Sequence, residues 1–343
     1  MDAILLVGGF GTRLLPLTKT VPKPLIPLAN VPFIERSVCW LRDHGIDHVI
    51  MSLHYNAEQF MEHFRQRALG VDISYAIEDS PLGTGGAIKN CEPHLRSDRI
   101  FVFNGDIFTD LDLPQMLHAH SVSGARLSIA LKEVDDPSRY GVIETDAGGR
   151  IQSFTEKPPR ELAKSRDINA GIYVFEREVF AEFPTGPCSV ERDIFPRLVD
   201  EGKHLHGFRE ACYWTDLGTP GDYLQAHRDI LNGQVAIPLG YQQAYPGIWM
   251  GSNVEIADDA LFRPPVLIGD GVKVLAGAVV GPMTVLGQGV QIGEEALIED
   301  SVLWERTNIL PQSYVQGCII GREACISGYV RGTVCEDAGR IAC

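Results

Sequence analysis

The chain has 343 residues, 45% of them hydrophobic and 22% charged, with a formal net charge of −15. That length gives a prior of two domains, each long enough to bury a core. The acidic balance excludes sequence-independent binding to nucleic acid or to an anionic membrane, both of which need a basic field.

The chain opens on "MDAILLVGG". Its apolar run is too short to span a membrane and lacks a basic flank, so neither a span nor a signal peptide is expected. Next comes "GGFGTRLLPLTKTVPKP", a Gly-rich turn directly after a first strand. From Ala3 to Ile34 there are three cations, Arg13, Lys19 and Lys23, and no acid. Neither a Walker loop nor a dinucleotide fingerprint fits, the latter because Leu14 stands where glycine is required. What remains is a turn whose backbone N–H groups can approach a polyphosphate, with Arg13 as a planar clamp and Lys23 fixed between two prolines. Lys19 reads as solvated.

Further on, "IDHVIMSL", "RIFVFNGD" and "NAGIYVF" are short apolar runs of the kind buried parallel strands show. Between them, "IERSVCWLRDHG" and "NAEQFMEHFRQRALG" have helical spacing. The alternation implies an α/β fold, a Rossmann-like mixed or parallel sheet with helices on both faces, and ligands at the carboxyl ends of strands. Asp106, in "NGD", follows a buried strand, and Asp216, in "WTDLGTP", precedes a helix beginning near Pro220. Two such carboxylates suit Mg²⁺, which completes its shell with phosphate oxygens and water. "SFTEKPP" adds Glu156 and Lys157.

The domains expected are 1–232, a linker over 233–247, and 248–343. In the last, every sixth residue from Met250 through Leu310 is apolar, the signature of a parallel β-helix of hexapeptide repeats. Its frame places Ile298, Trp304 and Leu310 in the core, then slips after Leu310, as a loop insertion would make it. The eight cysteines include no CxxC pair and read as free thiols of a reducing, cytoplasmic setting. The histidine pairs 118/120 and 204/206 do not read as metal sites, since i,i+2 residues do not share a helical face and the second pair has no third ligand.

Taken in order, "GGFGTRLLPLTKTVPKP", "PLGTGGAIKN", "NGD", "EKP", "NAGIYVF" and "WTDLGTP", followed by hexapeptide repeats, closely resemble the sugar-nucleotide pyrophosphorylases. Within that family, "DPSRYGVIE" and "SVERDIFPRL" look most like the mannose-1-phosphate guanylyltransferase branch. The chain departs from the pattern at Leu15, usually arginine, at Val7, usually alanine, and in its final "GTVCEDAGRIAC". The resemblance implies a left-handed β-helix and a reaction of nucleoside triphosphate with sugar 1-phosphate giving nucleotide sugar and pyrophosphate. It also implies Mg²⁺ and a homo-oligomer.

By the family pattern, Leu6, Gly8, Gly9, Gly11, Thr12, Gly83 and Thr84 line the nucleotide, and Glu78 falls where a base-reading side chain is expected. Guanine's amino donor suits an acidic acceptor, which favours GTP. Arg13 and Lys23 hold phosphates, and Asp106 and Asp216 carry the metal. Lys157 grips the sugar phosphate, while Gly141, Glu156, Asn169 and Glu191 face the sugar. Other pairs stay open, glucose 1-phosphate with UTP or dTTP, or heptose 1-phosphate with GTP. So does a silent regulatory homologue that binds nucleotide sugar. A second, acyltransferase activity is disfavoured, because no histidine follows His227.

Overall fold

The computed structural model describes residues 1–54, 57–65 and 67–342. By contact the chain forms two units, Met1–Gly9 with Ile34–Trp214, and Phe10–Phe33 with Thr215–Cys343.

In the first unit, short apolar runs such as Asp2–Leu6, His48–Leu53 and Arg99–Asn104 become strands buried on both faces. The sheet runs Ile151–Glu156, Gly141–Thr145, Asp167–Glu176, Arg99–Asn104, Asp2–Leu6, His48–Leu53, Asp72–Ile77, with Leu127–Glu133 beside Asp167–Glu176 and Leu205–Arg209 beyond it. The strands Asp2–Leu6, His48–Leu53, Asp72–Ile77 and Arg99–Asn104 are parallel, each stepping to the next through its register partners. Helices α1 (Phe33–Asp43), α2 (Ala57–Arg65), α3 (Gly83–Asn90), α4 (Leu113–Ser123) and α5 (Phe195–Asp200) supply the alternation expected of a doubly wound fold. The expected second helix included Asn56 and Gln66, which lie outside the described residues. Ile4, Ile50, Val102, Tyr173 and Phe175 are fully buried at the centre.

"NAGIYVF" is not a parallel strand. It pairs antiparallel with Arg99–Asn104 and with Leu127–Glu133. The reversal has a use. Running the other way, its first residues, Asn169 to Gly171, come to the edge where Asn104 ends, so the amino end of one strand joins the carboxyl ends of the others.

The second unit contains a short hairpin (Pro27–Leu28, Val31–Pro32), helix α6 (Pro220–Leu231) and three parallel sheets of a β-helix. The segment read as a linker, 233–247, includes the strand Gln242–Tyr245, which pairs antiparallel with Ile248–Met250 at the start of one of these sheets. Val266, Val272, Ala278, Leu286, Val290, Ile292 and Ile298 fill the β-helix core.

The six-residue frame does not slip where expected. Val280 lies over Ile298, eighteen residues on, but Ile298 lies over Val315, seventeen on. The coil loses one residue at a corner where Asp300 takes a left-handed backbone, φ 51°. From there Leu303, Ile309, Val315 and Ile320 occupy the core, and the next coil is shorter again, Ile320 lying over Cys335. There is no loop insertion. Trp304 is therefore not a core residue of the prism; it is buried beside Leu303, with its indole N–H donating to the Tyr223 hydroxyl at 3.0 Å.

Candidate active site

In the first unit the parallel strands end in Leu6, Leu53, Ile77 and Asn104, so the residues just after them share one edge. Val7 extends the first strand by donating its N–H to Ser52 O at 3.1 Å. Gly105 then packs onto Leu6, its N–H on Leu6 O at 3.0 Å. A Cβ there would lie 2.6 Å from that carbonyl and 2.4 Å from Val7 Cγ1. Only glycine lets the turn holding Asp106 sit this close to the turn holding Gly8 and Gly9.

Glu78 is not a solvated acid. It is 8% exposed. The Ser52 hydroxyl donates to Oε1 at 2.8 Å and the Leu82 N–H to Oε2 at 3.0 Å. A Cβ on Gly8 would lie 3.5 Å from Oε1, which places the fixed carboxylate beside the glycine turn. Ser52, fully buried, carries no sequence pattern that singles it out.

Gly83 and Thr84 begin α3, against the loop around Cys188, whose carbonyl accepts the Gly85 N–H at 2.9 Å. Thr84 donates to Glu191 Oε2 at 2.6 Å and accepts the Val190 N–H at 2.9 Å. Ser189 donates to the same Glu191 oxygen at 2.8 Å. A residue expected at the nucleotide and one expected at the sugar are thus directly bonded. Glu191 lies in a π-helical turn, Val190–Ile194, a distortion frequent at functional sites.

On the sugar side, Lys157 leaves its strand in a left-handed backbone, φ 47°, with its N–H on Tyr140 O at 3.0 Å. Its ammonium is 3.0 Å from Glu156 Oε1 and the side chain is 63% exposed, so the head is open to an arriving anion. A Cβ on Gly141 would come 3.0 Å from Glu156 Oε2. Asn169 donates to the Tyr173 hydroxyl at 2.9 Å and accepts the Gly171 N–H at 2.9 Å. Burial pushes the Tyr173 hydroxyl well above its ordinary range, so it stays protonated. Asn104 Oδ1 is buried and accepts no hydrogen bond among the described residues. An amide carbonyl left in this state invites a donor such as a hydroxyl. The sequence offered Asn104 only as part of a turn.

In the second unit the cations of the opening motif meet Asp216. Arg13 Nη2 is 3.8 Å from Oδ2, and Lys23 Nζ is 3.9 Å from Oδ1. The Lys23 and Asp216 side chains are mostly buried, whereas Arg13 is 57% exposed. The turn that brings them together depends on Gly11, at φ +63°, where a Cβ would strike Lys23 Cβ at 2.8 Å. Thr12 follows in the short helical turn Thr12–Leu14, and the Thr18 hydroxyl donates to Gly11 O at 2.9 Å. Arg13 and Lys23 thus bring two positive charges together within an acidic chain, the kind of group that polyphosphate binding requires. Lys19 is not merely solvated. Its ammonium lies 2.6 Å from Glu336 Oε2.

The carboxylates of Asp106, in the first unit, and of Asp216, in the second, are each hard oxygen donors of the kind a divalent cation takes. Among the described residues no cluster of three or more His, Cys, Asp or Glu is arranged to hold a metal. A cation arriving with phosphates needs only one or two carboxylates. Among the described residues, too, no helix is long and apolar enough to cross a membrane.

The chain is similar to known proteins. The nucleotidyl transferase family matches residues 2–233, and the GMPPB C-terminal domain matches 262–336. The chain is similar to a mannose-1-phosphate guanylyltransferase of Mycobacterium tuberculosis, 41% identical over 244 residues, which are 69% of this chain and 67% of that protein. It is similar as well to a UTP–glucose-1-phosphate uridylyltransferase of Synechocystis, 33% identical over 94% of this chain and 88% of that one. Among solved structures, HddC of Yersinia pseudotuberculosis complexed with GMP-PN superposes with a TM-score of 0.58 and 31% identity, over 66% of this chain and 97% of that chain.

Proposed function

We propose that this chain, which belongs to the nucleotidyl transferase family, makes GDP-mannose and pyrophosphate from GTP and mannose 1-phosphate. The observation that carries the reading is the meeting of Arg13, Lys23 and Asp216 on a glycine turn, in a chain so similar to a mannose-1-phosphate guanylyltransferase.

The nucleophile is a phosphate oxygen of the sugar phosphate. Its second pKa is near 6, so at neutral pH it is already largely anionic and needs no general base. It attacks the α-phosphorus in line, a new P–O bond forms, and the bond to the β-phosphate oxygen breaks, releasing pyrophosphate. The chain's work is therefore positioning and charge neutralisation. Arg13 and Lys23 exchange the Asp216 carboxylate for phosphate oxygens, Arg13 on the departing pyrophosphate and Lys23 near the reacting phosphorus. Lys157, whose ammonium is exposed, takes the sugar phosphate. Gly141, Glu156, Asn169 and Glu191 read the sugar, and Asn104 Oδ1 joins them as an acceptor for a sugar hydroxyl. Asp106 and Asp216 are the carboxylates for a divalent cation, assigned as Mg²⁺, which when bound supplies Lewis-acid neutralisation of phosphate charge.

Base choice rests on Glu78. Its oxygens are fixed by Ser52 and Leu82 beside Gly8, and lone pairs remain for guanine's donors. One experiment tests the reading, a matrix of GTP, UTP, dTTP and ATP against mannose, glucose and heptose 1-phosphates, with pyrophosphate detection. GTP with mannose 1-phosphate is expected to give the highest kcat/KM, and Glu78→Gln to cut the preference for GTP over UTP about tenfold or more. If another pair is turned over and this one is not, the substrates are wrong and the reaction stands. The specific rival is glucose 1-phosphate with UTP, favoured by the similarity to the Synechocystis enzyme over 94% of the chain.

A homo-oligomer assembled through the β-helix belongs to the same reading. On one outer face Leu261, Val279, Leu297, Tyr314 and Tyr329 stand in register, and the two tyrosine rings stack at 4.7 Å. Light scattering is expected to give a multiple of 37.7 kDa; a single-chain mass would end that part. The free thiols among the described cysteines suit a reducing, cytoplasmic setting.

A further inference from the structure

The segment Phe10–Phe33, which carries Arg13 and Lys23, belongs by contact to the unit of α6 and the β-helix. It is fastened there at separate points along its length. Lys19 pairs with Glu336, and the Thr20 hydroxyl donates to Asp337 Oδ2 at 2.7 Å. At its hairpin, Pro27 O accepts the Tyr223 hydroxyl, and the Ala29 N–H donates to His227 Nε2 at 3.1 Å. The Asn30 amide donates to Leu286 O at 2.8 Å.

The hairpin tip needs such support. Ala29 and Asn30 both have left-handed backbones, φ 48° and 63°, and for alanine that is strained. His227 is held as one tautomer, since Nε2 accepts and Nδ1 therefore carries the proton donated to Tyr223 O at 2.9 Å. Tyr223 is fully buried, burial pushes its hydroxyl pKa up, and the hydroxyl accepts the Trp304 N–H while donating to Pro27. Each polar atom of this chain of contacts has its partner, so no slack is left in it.

From Pro27 the path to the cations is short. The Ile26 N–H is bonded to Lys23 O at 3.2 Å, and Lys23 Cβ packs against the Gly11 turn that leads into Arg13.

We propose that Tyr223 and Trp304 are positioning residues for Arg13 and Lys23, so that the β-helix sets the geometry of the phosphate-binding cations. The inference rests on the function proposed above and deepens it: the repeat domain takes part in turnover without touching substrate.

The test uses Tyr223→Phe, which keeps the ring and removes the hydroxyl, and Trp304→Phe, which removes the indole donor. Two measurements are made on the full chain. The first is amide exchange across residues 10–33, expected to rise about tenfold in either variant while the strands 2–6 and 99–104 keep their protection. The second is kcat, expected to fall about tenfold in the parent background and less than twofold further in a Lys23→Ala background, because both changes act through one group. A merely structural role would lower the melting temperature but leave the two losses multiplicative. Unaltered exchange, an unaltered kcat, or multiplicative losses each overturn the inference. A parent protein that turns over no pair at all would end the proposed function instead, and exchange would still decide the brace.

Discussion

Replacing Arg13 by alanine lowers kcat about a thousandfold, roughly 4 kcal/mol of transition-state stabilisation, and leaves the melting temperature nearly unmoved. The two halves of that expectation come from the same geometry. Arg13 is 57% exposed and its nearest carboxylate oxygen is 3.8 Å away, so as a surface ion pair it contributes little to folding. Its guanidinium matters when charge accumulates on the departing pyrophosphate, and the arginine fork meets two phosphate oxygens at once. Lys23→Ala loses activity on a similar scale, but Lys23 is only 12% exposed, so Lys23→Met is the better control for packing. Single-turnover pyrophosphate release measures both. Turnover within threefold of the parent in Arg13→Ala and Lys23→Met would remove these residues from the reaction.

Asp106→Asn and Asp216→Asn each reduce turnover by a factor on the order of a thousand and shift the Mg²⁺ dependence to higher concentration. The isosteric amide keeps the shape of the turn and removes the charge that a divalent ion requires. Asp216→Asn also removes the carboxylate that Arg13 and Lys23 face at 3.8 and 3.9 Å, so it is expected to lower the melting temperature, which calorimetry measures. An unchanged metal dependence in both would dismiss the carboxylates as ligands.

The glycines and cations of the opening motif were legible because phosphate chemistry demands particular residue types close together in sequence. So was the β-helix, whose every coil repeats the same constraint. The break in its frame was not, because Leu303 and Trp304 are both apolar and either satisfies a six-residue rule; only the lost residue near Asp300 decides between them. Strand direction at "NAG" is invisible to composition, since a buried strand reads the same either way. Ser52 and Asn104 are single polar residues at or next to the ends of apolar runs, and what marks them is a neighbour from a distant strand. Lys19 looked solvated because its partner, Glu336, lies more than three hundred residues away.

The missing residue in the β-helix near Asp300 has a consequence for engineering by consensus. A designer who restored the uniform hexapeptide would see a regularity repaired and expect a more stable protein. The same insertion would keep Leu303 in the core, now at the sixth place after Ile298, but would lengthen the corner that sets Asp300, whose carboxylate pairs with Arg228 at 2.6 Å on α6, the helix that carries Tyr223. The prism would become more regular while the helix that anchors the hairpin of the opening motif had its own tie to the prism disturbed. Idealising the repeat and preserving turnover are therefore opposed aims at this corner, and the irregularity is the part of the domain to keep.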